Sequence, residues 1–184
     1  MPTPVAHSLI GIALFQTRTV TFFKNDWLTV LFFISLANMP DLDFIPGLLK
    51  GKPNMYHQGY SHTLGAALLV GLVGGYLFGK HNGSIFRSTC IVCLAYYSHM
   101  MLDYCNQDGR FPYGVMLFWP FSDTFFMAPF AFFDPVMKSA SSANWLQSVL
   151  SMHNLKVALK ELVMMGPIAA GAYVLRKYFM QRAQ

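Results

Sequence analysis

Apolar residues run in blocks along the chain, and five stand out: 5–15, 27–39, 63–79, 85–102 and 162–175. Short polar stretches separate them. The third block carries no charged residue and the fourth a single arginine near its start. As helices rising ~1.5 Å per residue, these two cover about 25–27 Å, close to the hydrocarbon thickness of a bilayer. They are the best candidates for membrane spans. The first two are shorter and would span only with their polar flanks, or lie as re-entrant or interfacial helices. Between the fourth and last blocks, residues 111–133 form an aromatic stretch broken by Pro112, Pro120 and Pro129. It cannot be one straight helix, and Trp119 with its many phenylalanines predicts a membrane-interface belt or a packed lid. A Ser/Ala-rich linker is expected at 138–144. The expected fold is an all-α integral membrane helical bundle, one domain over 1–184 with a basic tail at 176–184.

Composition supports lipid as part of the solvent. Of 184 residues, 54% are hydrophobic and 11% charged, against about 25% charged in soluble domains. Mean hydropathy is +0.40. The net charge of +5 comes from 13 basic residues scattered in ones and twos. Nucleic-acid binders cluster such residues in one patch, so no nucleic-acid partner is expected, and anionic headgroups fit the scatter better. Cys90 and Cys93 read as buried small residues inside an apolar helix rather than as a redox or zinc motif. The N-terminus lacks the basic region and cleavage site of a signal peptide.

Against this background the rare polar groups carry the chemistry. Asp41 and Asp43 sit in a turn after Pro40, and Asp103 ends the fourth block. An ionised carboxylate in a low dielectric is costly unless paired or bound to a cation. His7, His57, His62 and His99 lie in similar surroundings. His99 and Asp103 are spaced i, i+4, which puts both on one helix face about 6 Å apart. Each of these taken singly has an ordinary explanation: a His–Asp pair closing a helix, loop histidines, turn aspartates, or a helix-start histidine. Ser61 or His62 would begin the third helix. The glycines Gly71, Gly74 and Gly75 read as helix-packing positions. His81 and His153 read as surface residues, and Asp123 and Asp134 as turn or cap residues.

Threading the blocks back and forth across a layer changes this. His7, Asp41, Asp43, His57, His62, His99 and Asp103 all fall at one end, and independent caps would have no reason to do so. Imidazole and carboxylate without thiolate suit zinc, with manganese as the alternative.

Four short blocks resemble the YdjM-like membrane-bound metal-dependent hydrolases. Ala6-His7-Ser8-Leu9-Ile10-Gly11 looks like that family's opening His-x-x-x-Gly. Met39-Pro40-Asp41-Leu42-Asp43 looks like its Pro-Asp-x-Asp turn. His57-Gln58-Gly59-Tyr60-Ser61-His62-Thr63 looks like its His-Arg-Gly-x-Thr-His-Ser block, with Gln58 where the family usually has arginine. Tyr97-Ser98-His99 to Asp103, then Met116-Leu117-Phe118-Trp119-Pro120, looks like its His-x-x-x-Asp and Leu-x-Trp-Pro tail. Together they lie within residues 5–123. The family is in turn similar to the all-helical zinc phospholipases C and single-strand nucleases, which cleave phosphoesters with three zinc ions. Their later ligands have no match here, since His153 and Glu161 have the wrong spacing. The resemblance therefore implies one or two ions at one end of a helical bundle, with Asp103 able to bridge two.

The functional expectation is a membrane-bound metal-dependent hydrolase acting on a phosphoester, lipid-linked or not, through a metal-activated water. Of Asp41 and Asp43, one would be a ligand and the other a general base. The alternatives are a non-enzymatic membrane protein with a structural metal and a metal transporter. Basic residues divide almost evenly between the two ends; the short 80–87 loop and the basic tail place the metal site on the external side of a bacterial inner (plasma) membrane.

Overall fold

The computed structural model describes residues 1–18, 20–80, 83–106 and 113–182. Among the described residues the architecture comprises seven α-helices: α1 (Pro4–Thr17), α2 (Asp26–Asn38), α3 (Phe44–Leu49), α4 (Leu64–Gly79), α5 (Ile85–Tyr104), α6 (Ser142–Val149) and α7 (Met152–Arg182). Two 3-10 turns, Met39–Asp43 and Tyr60–His62, complete it. No strand occurs among the described residues. Val115 and Phe126 form an isolated antiparallel bridge.

The helix starts follow local chemistry. Thr3 caps α1 by accepting from the Val5 N–H at 3.2 Å, and Pro4 occupies the first turn, where its missing N–H costs nothing. Asn25 caps α2 and Ser84 caps α5 in the same way. Thr63, rather than Ser61 or His62, caps α4, its hydroxyl accepting from Ala66 N–H at 3.1 Å.

Among the described residues, three helical runs are long and apolar enough to cross a membrane: Asp26–Leu49, Ile85–Tyr104 and Met152–Arg182. This revises the expected choice of spans. The third apolar block forms a helix, α4, that is shorter than the others. The second block instead lengthens to 24 residues, because Met39–Asp43 continues α2 into α3 instead of breaking it. Pro40 sits at the start of that 3-10 turn, where no N–H is needed. The last block also grows. α7 reaches back to Met152 through a polar first third, since Val157 and Glu161 are buried there against the rest of the protein. The expected linker at 138–144 gives way to α6 from Ser142 onward.

Close helix crossings use the small residues. A Cβ on Gly11 would lie 2.8 Å from the Phe33 carbonyl, so α1 and α2 meet backbone to backbone. On α4, a Cβ at Gly71 would stand 2.8 Å from Cys93 Cβ, and one at Gly75 would stand 1.8 Å from Thr89 Oγ1. The packing role read for these glycines holds, and α4 lies against α5 through them. Cys93 is part of that contact, whereas Cys90 is exposed rather than buried, and neither is in a disulfide. The opposite face of α4 exposes Leu69, Leu72, Val73 and Leu77, and α7 exposes Val163, Val174, Leu175 and Phe179. Contiguous apolar faces of this kind suit lipid, not water.

Candidate metal centre

The polar residues picked from sequence converge. His7 comes from α1, Asp41 and Asp43 from the first 3-10 turn, His62 from the second, His57 from the loop before it, and His99 and Asp103 from α5. His7, His62 and His99 are fully buried, and Asp103 nearly so.

The spacing of their atoms is specific. His99 Nε2 lies 3.5 Å from both Asp41 Oδ1 and Asp103 Oδ2. His62 Nε2 lies 3.6 Å from the same two oxygens and 3.2 Å from His99 Nε2. His7 Nε2 is 3.6 Å from Asp103 Oδ1, and its ring stacks on His99 with centroids 3.8 Å apart. Most of these separations are too long for good hydrogen bonds. They match the edges of a coordination shell: two atoms each about 2.0–2.2 Å from one ion at a tetrahedral angle stand about 3.3–3.6 Å apart. Three groups, His7–Asp41–His99, Asp41–His57–His62 and His62–His99–Asp103, bring ligand atoms within 4.8 Å of one another.

The hydrogen-bond inventory points the same way. Both ring nitrogens of His7, Asp41 Oδ1 and both oxygens of Asp103 are buried with no hydrogen-bond partner among the described residues. Orphaned acceptors this deep cost several kcal/mol each unless a cation satisfies them. The donor set fits a divalent ion on that test.

A second layer orients the first. His99 Nδ1–H donates to the Ala37 carbonyl at 2.8 Å, which leaves Nε2 as the lone-pair nitrogen facing the cluster. Asp43 faces away from the orphaned atoms. Its Oδ2 accepts from the Ser61 hydroxyl at 2.8 Å and lies 3.1 Å from His62 Nδ1, and its Oδ1 is 3.1 Å from His57 Nδ1. Ser61 is held by Tyr96, whose hydroxyl donates to its carbonyl at 2.8 Å. Asp43 thus turns both histidines, as carboxylates do around metal-binding imidazoles. On the far side of His57, Lys138 Nζ lies 3.1 Å from Nε2. Burial, with the Lys138 charge adding to it, lowers the His57 pKa to about 4 despite its contact with Asp43. Burial also opposes charge on His62, but the Asp41 and Asp43 carboxylates outweigh it and raise its pKa.

Part of the aromatic stretch, expected as an interface belt or a packed lid, packs on the start of α4. The Leu117 and Trp119 carbonyls accept from the Leu64 and Gly65 N–H groups at 2.9 and 2.8 Å. The Trp119 ring fills the space where Gly65 would carry a Cβ. The stretch thereby pins the His62 turn to the start of α4.

The remaining sequence readings sort plainly. His153 is exposed, its Nε2 against the Pro135 carbonyl at 2.9 Å, and Asp134 pairs with Lys160 at the surface. Both stand apart from the cluster. His81, Arg110, Phe111 and Pro112 lie outside the described residues. Tyr96, the Ala37 carbonyl and the Lys138 contact were not singled out by sequence, and Ser61 was read only as a helix start. A hydroxyl or a main-chain oxygen in an apolar run gives no pattern, though Ser61 lies between the two loop histidines. At the opposite end, Arg18 pairs with Asp26, and Arg176 bonds Gln16 at 3.3 Å, so those basic residues do gather away from the cluster.

The sequence matches the family model of the YdjM inner membrane protein over residues 1–182, and the chain belongs to that family. No curated protein and no solved structure matches it.

Proposed function

We propose that this inner membrane protein is a metal-dependent hydrolase, with a phosphoester as the favoured substrate. One observation carries the reading: orphaned, buried atoms of His7, Asp41 and Asp103 lie at coordination-shell spacing from one another or from the Nε2 atoms of the buried His62 and His99. In this reading those five residues hold the ion or ions. Zinc is favoured by the three imidazoles, and manganese is the alternative because two carboxylates join them. A divalent ion in such a site supplies Lewis acidity and brings the pKa of a coordinated water from ~15.7 towards about 7.

The two aspartates then divide their work. Asp41 offers an orphaned oxygen and is the ligand. Asp43 has both oxygens engaged by Ser61, His57 and His62, so it acts as the orienting carboxylate and not as a general base. His57, held between Asp43 and Lys138, borders the centre with a ring nitrogen within 4.8 Å of ligand atoms of Asp41 and His62.

Deep burial of His7, His62, His99 and Asp103 favours a second reading, a purely structural ion. The Asp41 side chain is 15% exposed, which gives the cluster one open edge and favours the hydrolase. Metal analysis of the purified protein, followed by a screen of phosphodiester, phosphomonoester and carboxylic ester substrates, tests this. Stoichiometric metal with metal-dependent turnover is expected; stoichiometric metal with no turnover on any class would favour the structural reading. We orient the cluster towards the external side of the membrane, a reading in line with Arg18, Arg176 and Lys177 at the other end. A C-terminal reporter active only in the cytoplasm is expected, and an exported reporter would reverse the orientation.

A further inference from the structure

A cavity of about 560 Å³ lies at the end of the bundle opposite the cluster, among the last turn of α1, the start of α2 and the end of α7. Its volume falls in the range of small-ligand sites. Its charge is mainly positive. Arg176 and Lys177, neighbours on α7, both line it, and Asp26 is the one carboxylate in the lining. That carboxylate is already taken, because Arg18 pairs with it. Arg176 bonds and stacks on neutral groups: the Gln16 amide oxygen at 3.3 Å, and the Phe15 ring, whose centre is 5.2 Å from the guanidinium carbon. The Arg18 guanidinium lies against the same ring at 3.7 Å. Burial lowers the Arg18 pKa, and the Arg176 charge lowers it further. Lys177 is exposed and makes no hydrogen bond, ion pair or ring contact among the described residues.

Three cations thus share one carboxylate in the last two turns of a membrane-spanning helix and the segments packed against them. Two positive charges are left for a ligand to balance. The surroundings say which ligand. Trp27 and Tyr173 line the cavity while 64% and 55% exposed, and such amphipathic rings settle at headgroup depth. Val163, Pro167, Ala170 and Val174 are exposed and spaced three and four apart, so they form one apolar stripe along α7 that ends at Lys177. We infer that this cavity binds the phosphate headgroup of an anionic phospholipid, with Arg176 and Lys177 on the phosphate and an acyl chain along that stripe. A guanidinium and an ammonium beside a bilayer attract such a headgroup, and the forked N–H groups of arginine suit phosphate oxygens. Free phosphate would satisfy the charges but leave the stripe unused. No residue of the metal cluster lines the cavity, so the inference stands apart from the hydrolase reading.

The test places the full-length protein in phosphatidylcholine vesicles and titrates in phosphatidylglycerol brominated on its acyl chains. Quenching of tryptophan fluorescence is the readout. Trp27 lines the cavity, whereas Trp119 packs on Gly65 and Trp145 on Phe44, both at the cluster end. Quenching should reach half its final extent at a mole fraction at least about tenfold lower for brominated phosphatidylglycerol than for brominated phosphatidylcholine. Trp27→Phe should remove that difference and so locate it. Lys177→Gln should weaken the preference about fivefold, the worth of one basic residue at an anionic surface, and Arg176→Gln added to it should abolish the preference. Lys177→Gln, at an exposed position, decides alone if the double variant fails to fold. Millimolar sn-glycerol 3-phosphate in solution should leave the quenching unchanged. Displacement of the lipid by that probe would mean a free-phosphate site and overturn the inference. Equal quenching by the two brominated lipids would overturn it as well, as would a preference that survives Lys177→Gln undiminished.

Discussion

The imidazole of His99 is fixed by a main-chain oxygen, its Nδ1–H donating to Ala37 at 2.8 Å, and this turns Nε2 to within 3.5 Å of Asp103 Oδ2 four residues along the same helix. The i, i+4 pair therefore does not close on itself as a hydrogen bond. It holds its two polar atoms at a spacing that an ion can bridge. Removal of either partner should empty the centre. His99→Ala and Asp103→Ala are expected to weaken metal binding by more than about 100-fold, exceeding what outer-layer changes cause. Elemental analysis after dialysis against a weak chelator reads this. Retention of full metal by both variants would show that the pair serves only to pack α5.

Asp41 and Asp43 differ by one residue between them yet meet different neighbours, and their variants should separate accordingly. Asp41→Asn removes the negative charge of a carboxylate whose buried Oδ1 has no hydrogen-bond partner among the described residues, so metal is expected to be lost as in His99→Ala. Asp43→Asn leaves every ligand in place but loosens His57, His62 and Ser61. Metal affinity should fall by about 10–100-fold, the usual effect of an orienting carboxylate, and excess metal should restore occupancy. The two aspartates would exchange roles if the titrations came out the other way round.

Much of this was legible in the chain. Carboxylates and imidazoles are rare in an apolar sequence, so Asp41, Asp103, His7 and His99 stood out by cost alone, and alternating passes across a layer brought them to one end. Length was less legible. Pro40 and the two aspartates looked like a break, although a 3-10 turn carries all three without interrupting the run to Leu49. The start of α7 was hidden for a related reason: Asn154, Lys160 and Glu161 dilute its hydropathy, and only tertiary contacts show that Asn154 and Glu161 face inward.

Gly75 and Thr89 set the distance between α4 and α5. A methyl at Gly75 would overlap Thr89 Oγ1 at 1.8 Å and press on its Cα at 2.9 Å, so rotation of the threonine alone does not relieve it. Gly75→Ala should destabilise the protein by about 1–3 kcal/mol, the range for overpacking a tight contact. Thr89→Gly in the same chain should recover part of the loss, a coupling expected only for residues in contact. Thermal unfolding in detergent measures both; simple additivity of the two changes would argue that the helices are free to separate.

Glu161 is the carboxylate closest to being mistaken for a ligand, and it is expected to behave as a clamp. It is 1% exposed and reaches from α7 to the first turn of α1, accepting from the Thr3 N–H at 2.7 Å, from the Thr3 hydroxyl, and from the Ala6 N–H at 3.3 Å. These N–H groups have no partner within the helix, so a negative charge there satisfies them and complements the positive end of α1. The next residue after Ala6 is His7, which places the clamp one position from the candidate metal cluster without joining it. Glu161→Gln keeps the shape but weakens acceptors that face several donors, and should cost about 1–3 kcal/mol of stability. Metal bound at saturating concentration should stay at the wild-type level, because the ligand atoms are untouched. A variant that folds with unchanged stability but loses its metal would instead place Glu161 in the coordination shell, and the extent of the centre would have to be redrawn towards α7.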